Sequence, residues 1–167
     1  ETSYEVDNSR RIYHLVDPSK NELIDQINSD WDRHWLKTFS PFSILKQFMR
    51  IYMTGPIVRN ALRPFIEKTD MTILEAGAGL SETSTLIDFS QNRYFSLDIS
   101  NVALEKNISD QIKLQGDLFN LPIDNQKIDL IFNIGVHEHY SDLENEQIFK
   151  EYNRILKNEG SVVLLWP

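Results

Sequence analysis

Four polar side chains stand where apolar runs end. Glu75 follows Thr72–Leu74, Asp98 follows Tyr94–Leu97, Asp117 lies just beyond Ile112–Leu114, and Asn133 sits near the end of Ile128–Ile134. Between the first two lies Glu75-Ala76-Gly77-Ala78-Gly79-Leu80-Ser81, an acid followed by two glycines and a serine. Glycines let backbone come close to a ligand, and a helix capped by Ser81 would offer that ligand unpaired N–H groups. The turn alone is a weak sign; the polar strand ends after it give it weight. Asp98 stands 21 residues beyond Gly77, close to the offset of roughly 20 at which an acid meets ribose hydroxyls in dinucleotide-binding folds. A carboxylate there can accept two hydroxyl hydrogen bonds at once. Asp117 could accept from an exocyclic amine, and Asn133 with Gly135 would let the reactive part of a ligand lie close to the fourth strand. His137, Glu138, His139 and Tyr140 follow directly and are the candidates for substrate contact or for a general base. His137 and His139 could instead ligate a metal, but nothing else in the sequence completes such a site, so no metal is expected.

These residues need elements to place them. From Met71 onward strand-like runs alternate with helical ones: Thr72–Leu74, Tyr94–Leu97, Ile112–Leu114, Ile128–Ile134 and Ser161–Trp166 against Ser81–Ser90, Ser100–Asn107 and Ser141–Lys157. The last helix is the clearest. Ser141 with Glu144 forms a capping box, and Leu143, Ile148, Tyr152, Ile155 and Leu156 make an apolar face, with Gly160 ending the turn that follows. Such alternation predicts an α/β fold, a doubly wound sheet of mainly parallel strands with helices on both faces. Ligands then bind beyond the carboxyl ends of the strands, where every polar residue named above is found.

Before Met71 there is no strand signal, and the first 16 residues read as loosely ordered. Residues 18–37 and 41–68 read as helices, broken by Pro41 and by Gly55-Pro56. Phe42, Leu45, Phe48, Met49 and Tyr52, and then Ile57, Ala61, Leu62, Phe65 and Ile66, recur at helical spacing. The chain thus divides into a helical extension over 1–68 and a core over 69–167. The extension is expected to lie over the sheet as a lid, with Trp31-Asp32-Arg33-His34-Trp35 anchoring it through buried indoles.

The 167 residues suffice for one domain with a sizeable core, and 41% hydrophobic with 25% charged residues is an ordinary globular balance. There is no cysteine, which excludes disulfides and thiolate metal sites. No apolar run approaches the roughly 20 residues of a membrane span, and the start is not signal-like, so the cytoplasm is the expected compartment. Net charge is −8, all of it in residues 71–167, where 15 acidic side chains face 7 basic ones. That body argues against a nucleic-acid backbone as partner. Residues 33–68 reverse the balance, with Arg33, Lys37, Lys46, Arg50, Arg59, Arg63 and Lys68 against Glu67 alone. Three readings of this basic segment stay open: solvated charges on a lid, recruitment of an anionic acceptor, or docking on a membrane surface as a basic amphipathic helix.

Five blocks in order, Leu74-Glu75-Ala76-Gly77-Ala78-Gly79, Leu97-Asp98-Ile99-Ser100, Gly116-Asp117-Leu118-Phe119-Asn120-Leu121-Pro122, Asp129-Leu130-Ile131-Phe132-Asn133 and Glu151–Gly160, give residues 71–167 a resemblance. This stretch resembles the Rossmann-like core of class I S-adenosylmethionine-dependent methyltransferases, in the broad group acting on small-molecule, sugar and lipid acceptors. The resemblance implies S-adenosylmethionine as cofactor and methyl transfer as activity. Glu75, Gly77 and Gly79 would frame the methionine moiety, Asp98 the ribose, Ile99 a face of the adenine, and Asp117 with Leu118 its edge. Asn133 and Ile134 would line the side of the transferred methyl, which the His137–Tyr140 run would face. The implied partner is a small-molecule acceptor, anionic or linked to sugar or lipid. No nucleic acid is expected, and homodimer formation is left open.

Two departures stand out. The family's frequent third glycine is Ser81 here, and the antiparallel hairpin that follows the family's fifth strand is absent, leaving Val162–Leu165 as an apolar edge strand. A chain cut from a longer protein is the expected reason. The rival readings are a non-catalytic cofactor-binding or interaction module and an NAD-dependent oxidoreductase. The latter would want a third glycine where Glu82 stands.

Overall fold

The computed structural model describes residues 5–7, 12–15, 29–36, 41–82 and 86–165, with the side chains of 5–7 and 41–51 left aside. Seven strands form one sheet: β1 (Glu5–Asp7), β2 (Ile12–His14), β3 (Thr72–Ala76), β4 (Arg93–Asp98), β5 (Ile112–Gln115), β6 (Ile128–Ile134) and β7 (Leu156–Leu165). Their order is β1-β2-β5-β4-β3-β6-β7. The six strands from β2 to β7 run parallel to their neighbours and β1 is antiparallel to β2. The helical segments are α1 (29–36), α2 (Pro41–Ile66), α3 (Asn101–Lys106) and α4 (Asp142–Ile155). Among the described residues no helix is long and apolar enough to cross a membrane.

Strand alternation sends neighbouring side chains to opposite faces. Ile73, Leu130 and Phe132 join Val58 and Leu62 of α2 in one core. Leu74, Ala76 and Ile131 join Ile148, Tyr152 and Ile155 of α4 in the other. Ile73, Leu74, Leu130, Ile131 and Phe132 are wholly buried, and each such side chain contributes roughly 1.5–3 kcal/mol. The result is a doubly wound α/β layer structure with α2 and α4 on opposite faces.

The N-terminal region differs from its sequence reading. Residues 5–7 and 12–14 form strands, and β2 extends the sheet by pairing Ile12 with Lys113 and His14 with Gln115. Three-residue strands fall below the length at which alternation can be read. The helix expected to break at Gly55-Pro56 runs continuously through Pro56 and Pro64. Each proline forfeits one helical hydrogen bond, and the wholly buried Leu62 with the nearly buried Val58 offsets that loss. The buried face is also turned from the expected one: Ile57 is 61% exposed. Of the residues read as a helical lid, 18–28 and 37–40 lie outside the described residues.

The C-terminal elements follow their signals closely. Ser141 and Glu144 close the capping box of α4 from both sides, although Leu143, read as part of its apolar face, is exposed. Ser100 caps α3 by accepting from the Ala103 N–H. Strand β7 begins at Leu156, earlier than expected, and its register against β6 slips between Ile128↔Leu156 and Leu130↔Ser161. Gly160 lies in that slip, where an added Cβ would sit 3.1 Å from the Ile128 carbonyl oxygen. The expected Ser81–Ser90 helix does not form over residues 86–90, which are turns and bends with Asp88 accepting from the Ser90 N–H.

Candidate functional site

The order β4-β3-β6 places the reversal of the sheet between β3 and β6, where open parallel sheets form a crevice at the strands' carboxyl ends. β3 delivers Glu75 and the glycine turn to this point. Gly77 and Gly79 both have positive φ, 71° and 51°, the left-handed region glycine enters without strain. A Cβ on Gly77 would sit 2.6 Å from Val136, and one on Gly79 2.6 Å from the Trp35 ring. Ser81 also has positive φ, 49°, so it does not take the extended conformation of a helix cap. Its hydroxyl turns inward instead. Glu75, Ser81 and Tyr94 are all nearly buried, and both hydroxyls donate to the Glu75 Oε2. Burial, and then the Glu75 charge, hold the Tyr94 hydroxyl well above its usual range.

β4 ends at Asp98, whose carboxylate knits three segments. Its Oδ2 accepts from the Gly79 N–H and its Oδ1 from the Ser100 N–H, each at 2.8 Å. Burial raises its pKa to about 6 against those backbone donors, and the nearby Asp32 charge adds to the rise. Asp32 comes from α1 and accepts from the Ser100 hydroxyl at 2.5 Å and the Val102 N–H at 3.3 Å, docking α1 onto the start of α3.

These pieces enclose a cavity of about 210 Å³. Its floor carries Glu75, Gly77, Gly79, Asp98, Ile99, Asp117, Leu118 and Ile134, as the sequence reading placed them. Its roof is α1, through Trp31, His34 and Trp35, together with Thr54 and Val58 of α2. Trp31 meets His139 edge to face at 5.2 Å and His34 at 5.6 Å. The two indoles are half-buried rather than buried, and the Trp35 Nε1 is enclosed without a hydrogen-bond partner. Thr54, Val58, Glu82 and Leu86 join the lining without having been singled out; the i,i+4 pair Thr54/Val58 was the one legible trace of them.

The cavity does not take in three expected residues. Asn133 follows strand alternation to the face of Ile131, where its Nδ2 donates to the Tyr152 hydroxyl at 3.3 Å. His137 and His139 share a 3₁₀ turn, in which residues two apart point about 240° apart. His137 is therefore buried against Phe149 and Tyr152, with Nδ1 on the Asn145 Oδ1 at 2.5 Å, while His139 faces the cavity. Glu138 is exposed outside it. Tyr140 lines the cavity, and burial followed by the Asp117 and Asp98 charges pushes its hydroxyl up to about 12.

Comparison with known proteins accords with this geometry. An uncharacterized protein of Methanocaldococcus jannaschii is 30% identical over 104 residues, covering 62% of this chain and 44% of the relative. Among solved structures, a Methanococcus maripaludis protein described as a putative S-adenosyl-L-methionine-dependent methyltransferase matches with TM-score 0.56 and 24% identity, over 74% of this chain and 62% of that one. The Haemonchus contortus phosphoethanolamine N-methyltransferase 1, solved with phosphoethanolamine and S-adenosylhomocysteine, matches with TM-score 0.65 and 22% identity over 84% of this chain and 31% of its own. The chain thus spans less than half the length of the curated relative, and these structures share its fold. The methyltransferase-domain family profile matches residues 74–164, more than half of the chain and every strand end that lines the cavity floor; the chain belongs to that family.

Proposed function

We propose that this cavity binds S-adenosylmethionine and directs its methyl group to a small-molecule acceptor. The observation that carries the reading is the convergence of Glu75, Asp98 and Asp117, from the ends of three adjacent strands, on one cavity beside Gly77 and Gly79. The donor set fits the cofactor. A carboxylate has about four acceptor positions, so the backbone donors on Asp98 leave it room to accept from the ribose. Glu75, held by Ser81 and Tyr94, presents its charge toward the ammonium end, and the side-chain-free faces of Gly77 and Gly79 leave room there. Asp117 and Leu118 address the adenine edge, with Ile99 against its face.

Bound there, the cofactor supplies an electrophilic methyl on a sulfonium. The protein's part is to hold that methyl and a nucleophile in near-attack geometry and to keep water out. The Trp31 and Trp35 rings and Val58 provide the exclusion. Of the four residues first considered as catalytic, His139 is the one suited to take a proton, since it faces the cavity from the rim nearest α1. Tyr140, with its hydroxyl pushed up to about 12, stays protonated at neutral pH and serves as a hydrogen-bond donor. His137, packed against α4, supports the turn that carries His139.

The test is calorimetric titration with S-adenosylmethionine and S-adenosylhomocysteine, alongside Asp98→Ala. Micromolar binding that the variant loses supports the assignment. A folded chain that binds neither compound, or that prefers a nicotinamide cofactor, overturns it.

A further inference from the structure

We infer that the Trp35 indole N–H is the lid's hydrogen-bond donor to the carboxylate at the cofactor's amino-acid end, and so selects cofactors that carry that group; the inference rests on the methyl-transfer reading of the same site. An enclosed N–H without a partner costs free energy and calls for an explanation. Of the enclosed side-chain atoms that lack a hydrogen bond among the described residues, the Trp35 Nε1 alone belongs to a residue lining the cavity.

The indole is laid over the glycine turn. A Cβ on Gly79 would sit 2.6 and 2.7 Å from its Cζ2 and Cη2, and 3.7 Å from Cε2, the carbon that carries Nε1. Asp32 fixes it there. Three residues earlier on the same face of α1, Asp32 accepts from the Ser100 hydroxyl at 2.5 Å and from the Val102 N–H at 3.3 Å. The Nε1 therefore stands over the turn that frames the amino-acid end of the cofactor, away from the adenine edge addressed by Asp117 and Leu118.

The cofactor's groups sort by what they need. Its ribose hydroxyls donate to Asp98 and its ammonium to Glu75, whereas its carboxylate can only accept. Much of the turn beneath has no donor to give it. The Ala78 N–H is bonded to the Leu97 carbonyl, the Gly79 N–H to the Asp98 Oδ2 and the Ser81 N–H to the Ala78 carbonyl, each at 2.8 Å. Across the crevice the Gly135 N–H is taken by the Leu165 carbonyl, also at 2.8 Å. The amides that a helix starting at Ser81 would have offered are thus committed inside the protein. The donor comes from the lid instead, and a bond to a charged acceptor is stronger than one to a neutral acceptor. A ligand with the nucleoside but without the acid leaves the N–H enclosed and unpaired, and a site built around such a bond discriminates against that ligand.

The experiment titrates two compounds into the full chain by calorimetry: S-adenosylhomocysteine, and its decarboxylated analogue, which keeps the adenosine, the thioether and the amine. Trp35→Phe, which keeps a ring over Gly79 and removes the N–H, is run in parallel and checked by thermal melting. The expected result is an affinity for S-adenosylhomocysteine about tenfold lower in the variant, the size of one hydrogen bond to a charged group. For the analogue the change is less than about twofold, since that bond is absent from both complexes. Isotope-labelled wild type gives a reading that needs no Trp35 variant. Of the three indole N–H resonances, that of Trp35, assigned by elimination with Trp31→Phe and Trp166→Phe, moves downfield with S-adenosylhomocysteine and not with the analogue. Equal losses for the two compounds in Trp35→Phe, or a Trp35 resonance that responds alike to both, overturns the inference. The two readings fail separately. S-adenosylhomocysteine binding indifferent to Trp35→Phe defeats only the indole assignment, whereas a folded chain that binds neither compound defeats the methyl-transfer reading and this inference with it.

Discussion

Lowering the pH should weaken S-adenosylhomocysteine binding through a single carboxyl. Asp98 is buried, and burial raises its pKa from 3.8 to about 6 in the free protein. Ribose hydroxyls that donate to Asp98 favour its ionised form, so binding draws on the ionised fraction. That fraction is nearly complete at about pH 7.5 and falls to roughly a tenth at about pH 5, which predicts a tenfold rise in Kd, or about 1.4 kcal/mol. Stability of the free protein moves in the opposite sense. A carboxyl whose folded pKa exceeds its unfolded value favours the folded state at low pH, and that contribution is lost as pH rises from the ordinary carboxylate range through about 6. The loss is at most about 3 kcal/mol. Calorimetry at about pH 5, 6 and 7.5 on the wild type and on Asp98→Asn separates this group from His34, His139, Glu75, Glu82 and Asp117, which also line the cavity. A flat wild-type profile, or a slope of equal size in the Asn variant, would refute the assignment of the proton to Asp98.

Other outcomes follow from single contacts. Arg154 reaches the Leu121 and Ile123 carbonyls, the Asn125 side chain and Glu151 at 2.7–2.9 Å, so Arg154→Ala should lower unfolding stability in urea by ~2–4 kcal/mol; a change under 1 kcal/mol would show the fork to be ornamental. Gly79→Ala places a methyl at positive φ and against Trp35. It should weaken S-adenosylhomocysteine binding at least tenfold while costing about 1–2 kcal/mol of stability. Tyr94→Phe leaves Glu75 with one hydroxyl donor fewer and should cost about 1–3 kcal/mol, read as a lower denaturant midpoint with unchanged m-value. Trp35→Phe removes the enclosed indole N–H that lacks a partner, and should leave stability unchanged or raise it.

The sheet's core and most of the site were legible because their signals are local. Apolar runs gave β3 to β6, and Ser100, Ser141 and Glu144 marked their helices through caps that need only three or four neighbouring residues. Strand ends then put Glu75, Asp98 and Asp117 in one place by topology alone. The misreadings came where partners are distant or periodicity is short. Asn133 and His137 were set in the cavity from their position in the chain, whereas alternation on β6 and the 3₁₀ turn send both toward α4. Ser81 looked like a cap because of its type, yet its φ of 49° serves a hydroxyl bond to Glu75 that no local pattern announces. The strands β1 and β2 carry only three residues each, and β5, the partner that joins β2 to the sheet, lies on the far side of the glycine turn.

That last pairing has a consequence for synthesis on the ribosome. His14 meets Gln115 across a separation of 101 residues, and β3 gains its second neighbour only when β6 has emerged. At translation rates of roughly 5–20 residues per second, β2 waits about 5–20 s with its hydrogen-bonding edge open before β5 exists to receive it. Strand β4 completes its own surroundings sooner than β3 does, so assembly grows outward from the β3–β4 pair, and β2 docks only once β5 has been made. Slowed translation between residues 14 and 115 would lengthen that exposed interval, and a nascent chain of this protein would spend it within reach of chaperones.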